Sequence, residues 1–327
     1  MKRIITLCMV SLVCLAVGRA QWYPFKPDPV ITEEQAARLH AVSPASAAVA
    51  PMKPRRVLVF SRTCEFRHNQ GIATIKHLMR HTGEKTGAWE AVVSDDLANF
   101  EPAVLKGFAC VVLNNSTGMF FAEPEPELEK MPPEQQARIK ERDARLRDNL
   151  IDYVEAGGGL VAFHAGADAY HRTGQYYARF IDMIGGNFAG HPWTSNDTTV
   201  ALVEDRDSPI TRGLWPAGEF VMRHETYMFG DAFDRSKLRV LMALDMERSP
   251  KRKNARADGD CALVWIKRHG RGRVAYSGFG HNMNIFLIPG VQDLHMRLVQ
   301  FACGDLAADT APFAKPPRLA EGSHEKK

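Results

Sequence analysis

The sequence predicts an α/β protein built on a doubly wound, mostly parallel sheet with an antiparallel extension. Three observations carry that prediction. Apolar runs of strand length recur at 56–61, 89–94, 109–114 and 159–164, unbroken rather than alternating, as strands covered on both faces read. Helical stretches at 69–81 and 133–156 separate them, and strand alternating with helix specifies parallel pairing through crossover connections. In the second half, runs at 262–268 and 273–278 flank His269-Gly270-Arg271-Gly272, a tight-turn sequence that predicts an antiparallel hairpin.

Taken in order, the chain opens with Lys2 and Arg3, an apolar stretch from Ile4 to Val17 and a small-residue exit at Gly18-Arg19-Ala20. This predicts a signal peptide over residues 1–20 and a periplasmic or secreted location. The stretch is shorter than the roughly 18 to 20 residues that a membrane span requires, so no span is expected. Residues 21–54 are rich in Pro and Ala and read as an N-terminal arm with one short helix at 33–40. One domain is expected over 55–304. Its helix at 133–156 ends on Gly157-Gly158-Gly159, where glycine supplies a left-handed cap. The acidic, Pro-containing insertion between Asn115 and Pro133 predicts a surface loop or lid. Strands are expected at 197–204, 220–228 and 238–245 before the hairpin, and a helix at 291–303 would cover the sheet. Residues 305–327 read as a disordered tail.

Charge narrows the partners. Removing Lys2, Arg3 and Arg19 with the signal lowers the formal charge from +4 to +1, and the remaining charges of both signs are interspersed. No basic stripe of the kind nucleic acid requires is present in the sequence. Beyond residue 20 the cysteines are Cys64, Cys110, Cys261 and Cys303, widely spaced, with neither a disulfide framework nor zinc-finger spacing.

In open parallel sheets ligands bind beyond the carboxyl ends of the strands, and polar residues cluster at those positions here. His68 and Asn69 follow the first strand and precede a helix; either could face a polar ligand or cap the helix. Cys64 in the same loop is a candidate nucleophile if a neighbour activates it. His164 ends the fourth strand and is followed at once by Ala165-Gly166-Ala167, the pattern of a tight turn that presents one side chain upward, as in a nucleophile elbow. His191 lies in a Gly-rich loop ahead of Pro192 and Trp193. In His224-Glu225-Thr226-Tyr227, read as continuous strand, Glu225 and Tyr227 share a face and His224 opposes them. His281 ends the last strand between glycine and asparagine, and Trp265 is either core or a platform for a sugar ring.

Together, the run from Gly157 to Ala165, the loop from Gly185 to Pro192, His224-Glu225-Thr226-Tyr227, Val264-Trp265 and the stretch from Gly272 to His281 resemble the ThuA-like (trehalose utilisation) family over the whole domain. The resemblance implies a flavodoxin-like, class I glutamine amidotransferase-like three-layer sandwich. His164 stands where that fold's amidotransferases keep a nucleophilic cysteine, which argues against glutaminase chemistry. It also implies a small-molecule carbohydrate as partner, with hydrolysis or isomerisation of a keto-glycoside as the expected reaction. On this reading His164, His191 and Glu225 are catalytic, and His68, Asn69, Tyr227, Trp265 and His281 bind substrate. A variant gives His164, His191, Glu225 and His281 to a divalent metal as cofactor. Two other readings stay open: a non-catalytic sugar-binding partner resting on Trp193 and Trp265, and a thiol hydrolase acting through Cys64.

Overall fold

The computed structural model describes residues 26–172 and 175–313, so the expected signal peptide and most of the expected tail lie outside the described residues. Chain order is α1 (Glu33–Ala41), β1 (Arg56–Phe60), α2 (Asn69–Thr86), β2 (Glu90–Val93), α3 (Pro102–Leu105), β3 (Cys110–Asn114), α4 (Glu125–Leu128), α5 (Pro133–Glu155), β4 (Gly159–Phe163), α6 (Ala178–Ile184), β5 (Phe188–Trp193), β6 (Thr198–Val203), β7 (Glu219–Arg223), β8 (Thr226–Phe229), β9 (Arg239–Leu244), β10 (Ala262–His269), β11 (Gly272–Ser277) and α7 (Val291–Cys303).

Nine strands form one sheet in the order β2-β1-β3-β4-β11-β10-β9-β6-β7. The first five are parallel neighbours, and from β10 onward the pairing is antiparallel. The unbroken apolar runs of β3 and β4 are buried at every position, because helices cover both faces. On one face α2 and α7 pack Leu78, Leu294 and Leu298 against the sheet, and on the other α5 and α6 supply Leu150, Val154 and Phe180. The result is the expected flavodoxin-like three-layer sandwich with an antiparallel extension. The hairpin forms as predicted: His269 pairs with Gly272, and Gly270 at the first turn position takes φ +56°.

Three expectations are corrected. The run 220–228 is not one strand: β7 ends at Arg223 in the large sheet, and β8 starts at Thr226 in a separate two-stranded ribbon with β5. His224 and Glu225 occupy the break. The Gly-rich loop around His191 is itself a strand, β5, whose pairing with β8 is irregular at Gly190. The stretch from Asn115 is no surface lid at its start, since Asn115, Ser116, Thr117, Phe120 and Phe121 are completely buried. Acidic composition marked this segment as exposed, but its apolar and amide residues lead it under the site first.

The arm is tied down rather than free. Thr32 and Gln35 form a capping box on α1, Asp28 pairs with Arg67 and Lys76, and the Met52 N–H donates to Asp305 Oδ1 at 3.0 Å. The start of the expected tail is likewise held, with the Arg239 guanidinium 3.6 Å over the Phe313 ring. No helix among the described residues is long and apolar enough to cross a membrane.

Candidate metal centre

The ends of β1, β3, β4 and β11 meet at one edge of the sheet, and each contributes to a single cluster. His164 follows β4 with φ +44°, a left-handed conformation that costs a non-glycine residue strain. The surroundings hold it there. Tyr276 donates its hydroxyl to the His164 carbonyl at 3.0 Å, and Asn115 at the end of β3 accepts the Ala165 N–H at 3.4 Å while donating to the Gly280 carbonyl at 3.3 Å. In a nucleophile elbow the N–H after the nucleophile is left for an oxyanion. Here the Asn115 amide oxygen occupies it, so both the side chain and the backbone at this turn argue against acyl transfer.

The completely buried His164 ring fixes its own tautomer. Nδ1 lies 2.8 Å from the Gly278 carbonyl oxygen, which only accepts, so Nδ1 carries the proton. Nε2 then presents a lone pair, and it has no hydrogen-bond partner among the described residues. It faces Oε1 of Glu225 at 3.3 Å. The same oxygen is 3.3 Å from His281 Nδ1 and 3.6 Å from His68 Nε2. His68 precedes α2 without capping it, and its Nδ1 is also unpartnered among the described residues.

Protonation does not resolve this arrangement. Burial pushes His68 down to about 3 and lowers His164 as well, with Glu225 opposing both, so the rings stay neutral. Burial opposes ionisation of Glu225, and contact with His164, His281 and His68 lowers its carboxyl only through a proton or a cation shared between oxygen and nitrogen; with the His164 proton held on Nδ1, a cation meets that demand. A carboxylate oxygen facing three imidazole nitrogens, with the His164 Nε2 lone pair unpartnered among the described residues, is a donor set for a cation. One ligand atom each from His68, His164, Glu225 and His281 lies within 4.8 Å of the others. Imidazole-rich sets of this kind suit Zn²⁺ and other first-row divalent ions rather than Mg²⁺ or Ca²⁺. The His164 Nδ1–H bond to a backbone carbonyl is the outer contact that metal-binding histidines usually make.

The family ThuA, described as trehalose utilisation, matches residues 56–302. The chain belongs to the ThuA family. Two solved ThuA-like structures share its fold: one from Bacteroides uniformis at 21% identity, TM-score 0.57, covering 83% of this chain and 98% of its own. The other, from Parabacteroides merdae, has 17% identity and TM-score 0.52, covering 81% and 99%. No curated protein matches the chain at a significant level.

Within this ThuA domain the expected residues divide. His68, His164, Glu225 and His281 converge. His191 stands at the rim of the cluster on β5, its side chain 48% exposed and Nδ1 3.6 Å from Glu225 Oε2, so His68 takes the place in the ligand set that the sequence gave to His191. Tyr227 packs its ring on His164 at 4.1 Å. Asn69 begins α2 with Oδ1 unpartnered among the described residues, and neither it nor His68 caps the helix. Trp265 is excluded from ligand contact: it is completely buried, donates to the Ile184 carbonyl at 2.9 Å and stacks on Tyr276. Trp193 is 1% exposed and donates to Pro250. Cys64 is buried, and burial pushes its thiol up to about 12, which leaves no thiolate to act as nucleophile. Asn115 and His224 were missed as site residues. An asparagine at a strand end gives no signal by itself, and His224, read as part of a continuous strand, was placed on the face opposite to Glu225 and Tyr227.

Proposed function

We propose that this ThuA-family protein is a divalent-metal-dependent enzyme that acts on a carbohydrate, hydrolysing or isomerising a keto-glycoside. The single observation that carries the reading is the convergence of one ligand atom each from His68, His164, Glu225 and His281 within 4.8 Å of one another, with His164 Nε2 unpartnered among the described residues and 3.3 Å from Glu225 Oε1. Family membership and its description as trehalose utilisation support the carbohydrate.

His68, His164, Glu225 and His281 would hold the ion, which when bound supplies Lewis-acid polarisation of a carbonyl or hydroxyl oxygen. His191, outside the ligand set and half exposed at the rim, is the group placed to exchange a proton with substrate. Tyr227 packs beside His164 and fixes the ring plane. The competing reading, a sugar-binding module without turnover, drew on Trp193 and Trp265, and both rings are inside the fold. The periplasmic or secreted location is part of the proposal and rests on residues 1–20 alone. N-terminal sequencing of protein from the cell envelope fraction should begin at Gln21.

Protein purified without an affinity tag should carry about one first-row divalent ion per chain, lost in His164→Ala and Glu225→Gln together with keto-glycoside turnover. A wild-type protein without stoichiometric metal overturns the metal reading, and turnover that survives His164→Ala removes that residue from the mechanism.

A further inference from the structure

Three half-buried histidines pin the N-terminal arm to the body of the protein: His40 on α1 meets His77 and His81, one turn apart on α2. His40 and His77 face each other Nε2 to Nε2 at 2.8 Å, with 10° between their planes and 5.0 Å between centroids. A nitrogen–nitrogen distance that short rules out stacked faces. The rings meet edge to edge through one N–H···N hydrogen bond, in which one ring donates and the other accepts. His81 lies flat on His40, centroids 3.6 Å and planes 7° apart. Ser43 gives its one hydroxyl proton to the His40 carbonyl at 2.9 Å, so His81 Nε2 donates to Ser43 Oγ at 3.3 Å, as Lys85 does at 2.8 Å.

The N–H···N contact holds one proton between two nitrogens. A proton arriving at the accepting nitrogen leaves two donors head to head, and the bond is lost. The surroundings disfavour added charge. Burial first, then His40 and Arg80, lowers His77; burial first, then His40, Lys85 and His77, lowers His81 against Glu84. Lys76, Arg80, Glu84 and Asp28 are the other charges lining the cleft of about 490 Å³ between the arm and α2. Asp28 is taken up by Arg67 at 2.6 Å and Lys76 at 2.9 Å. On α1, Arg38 shares the last turn with His40. From α7, Asp293 acts on Lys85, and the segment Met283–Leu287 packed on α1 has no titratable side chain. Farther along the arm the anchors are amides: Gln300 accepts the Ala48 N–H at 2.9 Å and donates to the Val49 carbonyl at 2.7 Å.

We propose that the contact of His40 with His77 and His81 is an acid-released latch: as pH falls through the imidazole range, α1 and the segment before it lift from α2 while the chain from Ala48 stays anchored. Both His40 and His77 of a released arm take up protons near 6.5, whereas the docked pair refuses at least one. Docking therefore weakens by about tenfold per pH unit below that value. Release also removes Asp28 from Arg67, the residue before His68, and so frees the loop after β1 from an ion pair. The latch does not depend on a bound metal.

The test is hydrogen–deuterium exchange at pH 7.5 and pH 5, with labelling times scaled for the intrinsic rate, on wild type and the double variant His40→Gln/His77→Gln. On going to pH 5, wild-type α1 amides should lose at least about tenfold more protection than α7 amides of the same molecule. Glutamine pairs side chain to side chain without titrating, so the variant should show a difference of about twofold or less. Unchanged protection of wild-type α1 overturns the latch, and so does an equal loss in the variant. If the variant arm is already unprotected at pH 7.5, histidine-ring NMR of wild type decides. One ring of the pair should then titrate below the ordinary imidazole range, and two rings titrating together near 6.5 overturn the proposal.

Discussion

His224 accepts the backbone N–H of His281 on its Nε2 at 3.1 Å, and that of Gly280 at 3.2 Å, so an imidazole outside the candidate ligand set holds the loop that carries His281. The ring is 1% exposed. Replacing His224 with Leu should leave the buried Gly280 N–H and the part-buried His281 N–H unpaired, at about 1–3 kcal/mol for the buried group and less for the other. Thermal unfolding should show a lowered Tm, and metal titration of the folded variant should show affinity reduced by about tenfold or more, as outer-contact losses commonly do. Unchanged metal affinity would mean that the loop keeps its place without His224.

The close approach of α2 to the same loop depends on Gly71. A Cβ there would stand 2.0 Å from the Gly280 carbonyl oxygen and 2.8 Å from that of His281, both backbone atoms that cannot rotate away. Gly71→Ala should therefore push the His281 loop off α2, even though alanine favours the helix by about 1 kcal/mol on propensity alone. The expected outcome is loss of stability and of bound metal together, measured by unfolding and metal analysis. A variant as stable as wild type would show that the loop relaxes without cost.

The cysteine readings give a contrasting prediction. Cys64 donates its backbone N–H to Thr117 and buries its thiol, whose acidity burial suppresses to about 12. Iodoacetamide at pH 8 should leave Cys64 of the folded protein unmodified, and Cys64→Ala should keep full turnover. Rapid alkylation accompanied by loss of turnover would restore the thiol mechanism.

How much of this was legible follows from which forces are local. Unbroken apolar runs at 109–114 and 159–164, alternating with helical stretches, suggested strands covered on both faces, so the sandwich and its parallel half were readable. Glycines and small residues after His164 announced a tight turn, and the observed φ of +44° is its physical form. The break at His224-Glu225 was not readable, because residues 220–228 have strand character throughout. The chain leaves the large sheet there because β8 pairs with β5, a partner more than thirty residues upstream. That break turns His224 inward and brings Glu225 to the histidines. That His68 rather than His191 joins the candidate ligand set was equally hidden, since it depends on which ring the fold buries. His68 is 6% exposed, whereas the His191 side chain is 48% exposed.

A buried histidine away from the metal cluster should contribute its own share to the response to acid. His295 on α7 stacks on Phe163 at 4.3 Å, meets the edge of Phe286 and bonds Ser277 Oγ at 3.0 Å, and burial pushes its imidazole down to about 3. The unfolded chain titrates this group near 6.5, so between pH 6.5 and about 3 the unfolded state binds a proton that the native state refuses. Stability must therefore fall as pH falls through this window, by about 1.4 kcal/mol per pH unit for this residue. His295→Phe keeps a flat ring between Phe163 and Phe286 and removes the titration. Its unfolding free energy should decline less steeply than wild type from pH 6 to pH 4, the slopes differing by about one proton. Parallel slopes in the two proteins would mean that the native state accommodates a charged His295, and that acid acts elsewhere.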